Sequence, residues 1–255
     1  MRLKLTLAYI GGAYAGWQVQ APTQAMGTVQ GELECALESL VGRPVRVHGA
    51  GRTDSGVHAE GQVAHVDVPD NPVDWRRALN AKLPRDIRIL SAELVSENFH
   101  ARHSATGKRY AYSLFCGQEP VPPRLEPFVW ATPSLDFAAM NAAAGVLTGR
   151  HDFASFQNIG TPIANTVREV WAIRNEQGVA GPFLCPENWP VTIWVFHGNG
   201  FLKQMVRNLM GLIVWAGLGR VDADTVAACL AARDRQAVPS PTAPAKGLTL
   251  MGVDY

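Results

Sequence analysis

One stretch, GAGRTDSGVHAEGQVAH, running from Gly49 to His65, sets a single aspartate among glycines at 49, 51, 56 and 61. A strand-to-strand turn needs one or two glycines, so the surplus points to Asp54 being presented for chemistry rather than only shaping a turn. Asp54-Ser55-Gly56 matches the tripeptide of aspartic proteases, whose chemistry needs two carboxylates sharing one proton. The chain has no second D-S-G or D-T-G, and Gly51-Arg52-Thr53 stands where apolar residues would precede such an aspartate. Arg52 works against the sharing as well, because a neighbouring cation favours full ionisation. A metal site has little support. His58, His65 and Asp67 lack the H-E-x-x-H spacing or any comparable pattern, and a histidine on a half-buried strand is expected to be a hydrogen-bonded structural residue. No G-K-[ST] follows the glycines, so a nucleoside triphosphate loop is not indicated. The remaining reading is a lone carboxylate beside an arginine, able to serve as nucleophile or charge stabiliser at an electron-poor carbon.

Charge is distributed to suit that carboxylate. The net charge is only +1, yet three windows are basic and free of acids. Arg43, Arg46, His48 and Arg52 lie between Glu38 and Asp54; His100, Arg102, His103, Lys108 and Arg109 lie between Glu97 and Glu119. Lys203, Arg207 and Arg220 are the charged residues of 188–221. Brought together, they would line a positive cleft suited to nucleic acid. Apolar residues at 47% and charged residues at 18% describe a globular chain. No run approaches the ~18 uncharged apolar residues that span a bilayer, and MRLKLTLAYIGG alternates like a strand rather than a signal peptide. A cytoplasmic protein without a membrane partner is expected. Cys35, Cys116, Cys185 and Cys229 are scattered, with no C-x-x-C pair, so buried free thiols are expected rather than disulfides or zinc ligands.

The elements that must position these residues follow from periodicity. TVQGELECALESLVG predicts an amphipathic helix capped by Thr28 and Gly42. PVRVHG predicts a short strand into the glycine loop, and QVAHVDV a strand out of it. DWRRALNAKLP predicts a helix, and DIRILSAELV and GKRYAYSLF strands, the second carrying Tyr110 and Tyr112 on one face. After a proline-rich connection come a helix at DFAAMNAAAGVLTG and strands at REVWAIR and VTIWVFHGNG, separated by an insertion around Gly181–Pro190. FLKQMVRNLMGLIVWAGLG predicts a long buried helix with Lys203 and Arg207 on one edge. A helix at DADTVAACLAARD and a strand at GLTLMGVDY close the chain. Without strict β-α-β alternation, the class is α+β, a mostly antiparallel mixed sheet with helices on one face. The division expected is 1–104, carrying the aspartate loop, and 105–255, carrying the tyrosine strand and the arginine helix: two similar α/β halves forming a catalytic cleft.

GAGRTDSGVHA resembles the signature of the tRNA pseudouridine synthase A (TruA) family, G-R-T-D-x-G-V-H-A. SATGKRYAYSL, GRHDFASF, GNGFLKQMVRNLMG and the closing APAKGLTLMGVDY are similar to further segments of that family, in the same order. The resemblance runs over nearly the whole chain. It implies an isomerase converting uridine to pseudouridine at positions 38, 39 and 40 of the tRNA anticodon stem-loop, as a homodimer sharing one tRNA, with no protein substrate. It also implies that Asp54 is the essential carboxylate, Tyr110 the substrate-stacking tyrosine and Arg207 the arginine that pairs with the aspartate. Arg52 would help open the RNA, and Lys108, Arg109 and Lys203 would contact phosphates. An isomerisation needs neither a redox cofactor nor an energy source, so no cofactor and no metal are expected.

Overall fold

The computed structural model describes residues 1–19, 26–70, 72–158, 160, 165–176 and 189–255. Among them are ten strands and five α-helices. In chain order these are β1 (Arg2–Tyr9), α1 (Val29–Val41), β2 (His48–Gly49), β3 (His58–Asp67), α2 (Trp75–Lys82) and β4 (Ile87–Val95). Then follow β5 (Gly107–Cys116), β6 (Trp130–Thr132), α3 (Phe137–Leu147), β7 (Gly149–Asp152) and β8 (Val167–Glu176). The last are β9 (Val191–Gly198), α4 (Met205–Gly217), α5 (Ala223–Ala232) and β10 (Leu248–Asp254). The mixed, mostly antiparallel α+β class expected from the sequence is the one observed. Two compact units divide the chain: Met1–Thr106 with Thr249–Tyr255, and Gly107–Leu248.

In the first unit the strand order is β4-β1-β3-β10, with β2 also on β3. β1 pairs antiparallel with both β3 and β4, whereas β10 joins β3 in parallel through Thr249–His58 and Leu250–Ala59. β3 therefore has strands on both edges, and from Gly61 to Val66 it is buried on both faces. His65, expected on a half-buried strand, is 3% exposed for that reason. The expected strand at PVRVHG shrinks to His48–Gly49. Helix α1 takes the ladder groups of Val47 instead: its N–H donates to Glu34 Oε1 at 3.0 Å, and its carbonyl accepts from Gln30 Nε2 at 3.0 Å. Gln30 is 1% exposed, and its Oε1 also accepts from Gln18 Nε2 and Val19 N. A buried amide bonded this fully stabilises the fold, whereas a lost partner would cost about 1–3 kcal/mol. Thr28 caps α1 and Gly42 ends it in the left-handed region at φ +76°, as the sequence suggests.

In the second unit β5 pairs antiparallel with β9, β9 with β8 and β8 with β7, while short β6 lies parallel to β5. α3 packs on β8, and α4 and α5 pack on α3. Every residue of α4 is buried except Arg207 and Trp215. The helix starts at Met205, not at Phe201, because Gln204 takes a left-handed conformation at φ 61°. Lys203 thus precedes the helix, and it does not share a helical edge with Arg207 as its spacing suggested. The described cysteines are free, but only Cys229 is buried; Cys116 is half-buried and Cys35 exposed. Cys35 points away because α1 buries positions 33, 36 and 37, one stripe of the helix. Cys185 and most of the Gly181–Pro190 insertion lie outside the described residues. Among the described residues no helix is long and apolar enough to cross a membrane.

The segment before β10 lies hard against α4: a Cβ on Gly211 would sit 2.2 Å from the Pro241 carbonyl oxygen. Asn208, 1% exposed, joins the same contact, accepting from Thr242 Oγ1 at 2.6 Å and donating to the Phe156 carbonyl at 2.8 Å. Gly211→Ala is expected to lower the unfolding free energy by about 1–3 kcal/mol through overpacking. Urea denaturation checks this, and an unchanged midpoint and slope would contradict the close packing.

Candidate active site

The Asp54 loop is fixed by the segment Gly11–Trp17, which follows β1. The N–H of Trp17 donates to the Thr53 carbonyl at 3.1 Å, and Ser55 Oγ donates to the Tyr14 carbonyl at 3.0 Å. Tyr9 OH and Thr53 Oγ1 share a hydrogen bond of 2.8 Å, both side chains being buried. Gln62 Nε2 holds the far end by donating to the Gly51 carbonyl at 2.9 Å. Burial pushes the Tyr9 phenol up to about 12, with its bonds to Thr53 and Gln62 pulling the other way. It stays a neutral hydroxyl at any working pH, and so a constant anchor.

The glycines have separate tasks. Gly56 sits at φ +81° in the turn closed by the Val57 N–H on the Asp54 carbonyl at 3.1 Å. A positive φ at the third turn position is what glycine supplies without strain. Gly16, at φ +98°, lies against the loop backbone: a Cβ there would meet the Thr53 carbonyl oxygen at 2.7 Å and the Asp54 carbonyl carbon at 3.1 Å. Gly49 leaves room for the Trp17 indole, which a Cβ would meet at 2.6 Å. Gly11 approaches the backbone of Val57 more closely still, a Cβ there meeting its carbonyl oxygen at 2.0 Å, and donates to His58 Nδ1 at 3.1 Å. His58 is buried and spends its Nδ1 as an acceptor, in keeping with a structural role. Within this frame Asp54 is half-buried, while Arg52 is exposed and its Nε donates to Gln18 Oε1 at 3.1 Å. Among the described residues no group of three or more His, Cys, Asp or Glu is arranged to hold a metal ion.

The other candidate residues belong to the second unit. Lys108, Arg109 and Tyr110 are consecutive on β5, opposite Gly198, His197 and Phe196 of β9. Lys108 is half-buried and Arg109 exposed. Tyr110 is 8% exposed, its ring perpendicular to Phe201 at 5.4 Å between centroids. Arg207, half-buried at the start of α4, donates from Nε to the Ala243 carbonyl at 2.8 Å, and its own carbonyl accepts from Ala243 N at 3.2 Å. Lys203 is exposed, its backbone carbonyl held by Asn158 N at 3.0 Å.

Two residues beyond those expected join this arrangement. Tyr112, two places after Tyr110, is fully buried, and its hydroxyl donates to the Pro244 carbonyl at 2.7 Å. Burial holds its phenol far above the usual range, against an opposing pull from the Arg207 guanidinium. Arg207 and Tyr112 bond to the adjacent carbonyls of Ala243 and Pro244, so the arginine lies close to the tyrosine strand. Gly247 completes the fit, since a Cβ there would strike the Tyr112 ring at 2.6 Å. The sequence signals were modest: a second tyrosine on the same strand face, and a glycine in the closing motif.

Because Gly16 holds the loop from behind, Gly16→Ala is expected to loosen it. Hydrogen exchange at the Trp17 and Val57 amides should speed up by at least about tenfold, equivalent to ~1.4 kcal/mol of local stability. Unchanged protection at both amides would show that the loop does not depend on that contact.

A model for tRNA pseudouridine synthase matches residues 6–104 and 143–255, which include the Asp54 loop and the start of α4. The tRNA pseudouridine synthase A of Oleidesulfovibrio alaskensis is 52% identical over 269 residues, covering all of this chain and 96% of that protein. The protein of the same name from Nitratidesulfovibrio vulgaris (strain Miyazaki F) is 52% identical, covering all of this chain and 99% of its own length. That from Lawsonia intracellularis is 48% identical, with coverages of 100% and 99%. The chain belongs to the tRNA pseudouridine synthase family, isomerases that turn uridine in tRNA into pseudouridine.

Proposed function

We propose that this enzyme modifies uridines 38, 39 and 40 of the tRNA anticodon stem-loop, acting in the cytoplasm as a homodimer, with Asp54 as its essential carboxylate. The observation that carries the reading is the full-length likeness to tRNA pseudouridine synthase A proteins, in a chain whose signature motif contains Asp54. The positions, the dimer and the residue roles come from the resemblance of GRTDSGVHA, GKRYAYSL and FLKQMVRNLMG to that family.

In the reaction the bond between uracil N1 and ribose C1′ breaks, the base turns, and a C5–C1′ bond forms. The C5 proton leaves and N1 gains one, so atoms and electrons balance with no co-reactant. As the N1 bond weakens, C1′ acquires oxocarbenium-like charge, as in glycoside hydrolysis. A carboxylate at that carbon can stabilise the charge, bond to it, or take the C2′ proton. Each route needs the same oxygen held against the same sugar, and the rigid loop around Asp54 suits all three. Arg207 is assigned to pair with Asp54 by a charge-assisted bond. Tyr110 is assigned to stack on the extruded uracil, worth about 1–3 kcal/mol, with its hydroxyl relaying the C5 proton. Removing the nucleoside from its stack costs a few kcal/mol. Arg52, Lys108, Arg109 and Lys203 offset that cost through phosphate contacts, which makes binding salt-dependent.

Asp54→Asn keeps the shape of the loop and removes the charge. Single-turnover pseudouridine formation should fall by at least about 10⁴-fold, with the Kd for tRNA within about threefold of wild type. Near-normal turnover in this variant would remove Asp54 from the chemistry. Binding without product in the wild type would make the chain a non-catalytic RNA-binding protein.

A further inference from the structure

Four of the seven histidines form one contiguous run in the first unit. His48 stacks on His65 with centroids 5.0 Å apart and planes at 18°. His100 sits against them at 5.8 and 4.6 Å, and His103 against His100 at 4.3 Å. The run leads from core to surface: His65 is buried, His100 half-buried, and His48 and His103 are exposed. Strand register and one turn bring them together. β2 pairs His48 with His65. The turn after β4 curls so that His100 N donates to Ser104 Oγ and Ser104 N returns to the His100 carbonyl.

The backbone fixes which ring nitrogens remain for a ligand. His65 Nδ1 accepts the Ala101 N–H at 3.1 Å, and His100 Nδ1 accepts those of Arg102 and His103 at 3.1 and 3.3 Å. Both rings therefore carry their N–H on Nε2 and are left as donors. With Nδ1 taken, they are poorly disposed to share a metal, in line with the lack of any metal-holding group among the described residues.

The nearby carboxylates are already engaged. Asp67 is engaged by Arg2 through two bonds of 2.8 and 2.9 Å, and Arg2 also donates to the Glu97 and Phe99 carbonyls. Glu93 faces Lys4 at 4.0 Å, and Lys4 lies over the Phe99 and Tyr255 rings. Burial lowers the His100 pKa, and the neighbouring His103, His48 and Arg2 push it the same way. His65 is driven to about 4 by burial first, then by His100, Arg2 and His48, against a weaker pull from Asp67. Exposed Arg102 projects from the same turn. A phosphate group can accept from imidazole N–H donors of this kind and pair with the Arg102 guanidinium.

We propose that His48, His100, His103 and Arg102 form a phosphodiester-binding site that anchors the tRNA backbone to the base of the Asp54 loop. This rests on the reading of the chain as a tRNA-modifying enzyme. Asp54 follows His48 by six positions, a reach of at most roughly 20 Å. The anchored phosphate therefore lies within a few nucleotides of the uridine being turned, and fixing it sets the register of the RNA against the carboxylate.

The test measures binding of an unmodified tRNA transcript across a salt series, with pseudouridine formation read on the same samples. His48→Ala/His103→Ala, both at exposed positions, should weaken binding by about tenfold near physiological salt. Arg102→Ala should weaken it in the same direction and flatten the log–log salt slope by about one, and His103→Arg should keep wild-type affinity. Phosphate ethylation should mark one or two phosphates whose modification weakens the wild type but not the double variant. Wild-type affinity in the double variant, with thermal unfolding unchanged, would overturn the anchor. A wild type that binds in this way but makes no pseudouridine would instead overturn the functional reading and leave the anchor standing.

Discussion

The first unit depends on one backbone contact: Gly16, without a side chain, lying directly on the peptide that joins Thr53 to Asp54. A carboxylate that must meet a transient positive charge has to be in place before that charge appears, because reorganisation during the reaction adds to the barrier. Glycine-rich sequence by itself gives the opposite, a floppy loop. Here the freedom is cancelled by packing. Trp17 hydrogen-bonds to Thr53, its indole fills the space left by Gly49, and Tyr9 and Gln62 secure the two ends through buried bonds. Such bonds contribute about 1 kcal/mol each when made and cost more when broken.

The second unit solves a related problem with a charged residue. Arg207 is the one ionic side chain on a helix otherwise almost wholly buried. Its Nε is committed to the Ala243 carbonyl and its backbone to Ala243 N, so guanidinium and helix are fixed to the closing motif together. A planar guanidinium held this way keeps a defined orientation that a lysine would not. Gly211 and Gly247 let that closing segment come within contact distance of α4 and of Tyr112. The motif APAKGL is thus read best as the bracket for Arg207 and Tyr112 rather than as a site in its own right.

Much of this was legible in the sequence, and the limits have physical causes. Long periodic segments such as TVQGELECALESLVG and DADTVAACLAARD form helices where expected, because cap and apolar stripe agree. PVRVHG failed as a strand because α1 side chains claimed the backbone of Val47, a tertiary preference that no local pattern displays. The left-handed Gln204 delayed α4 by a turn and detached Lys203 from the helix. Asp54 stood out through its glycines, but the residues that immobilise it did not. Gly11, Gly16 and Trp17 lie over thirty positions upstream, and only the folded chain joins them to the loop. The histidine run was equally hidden, its members split between two basic windows and a strand.

Whether a carboxylate held rigidly at Asp54 serves the isomerisation of particular tRNA uridines is decided by site-resolved pseudouridine mapping of unmodified tRNA incubated with the purified protein. Pseudouridine is expected at positions 38, 39 and 40 wherever the substrate carries uridine there, without any added cofactor. Modification confined to other parts of the tRNA, or none at all from a folded protein that binds it, would overturn that assignment.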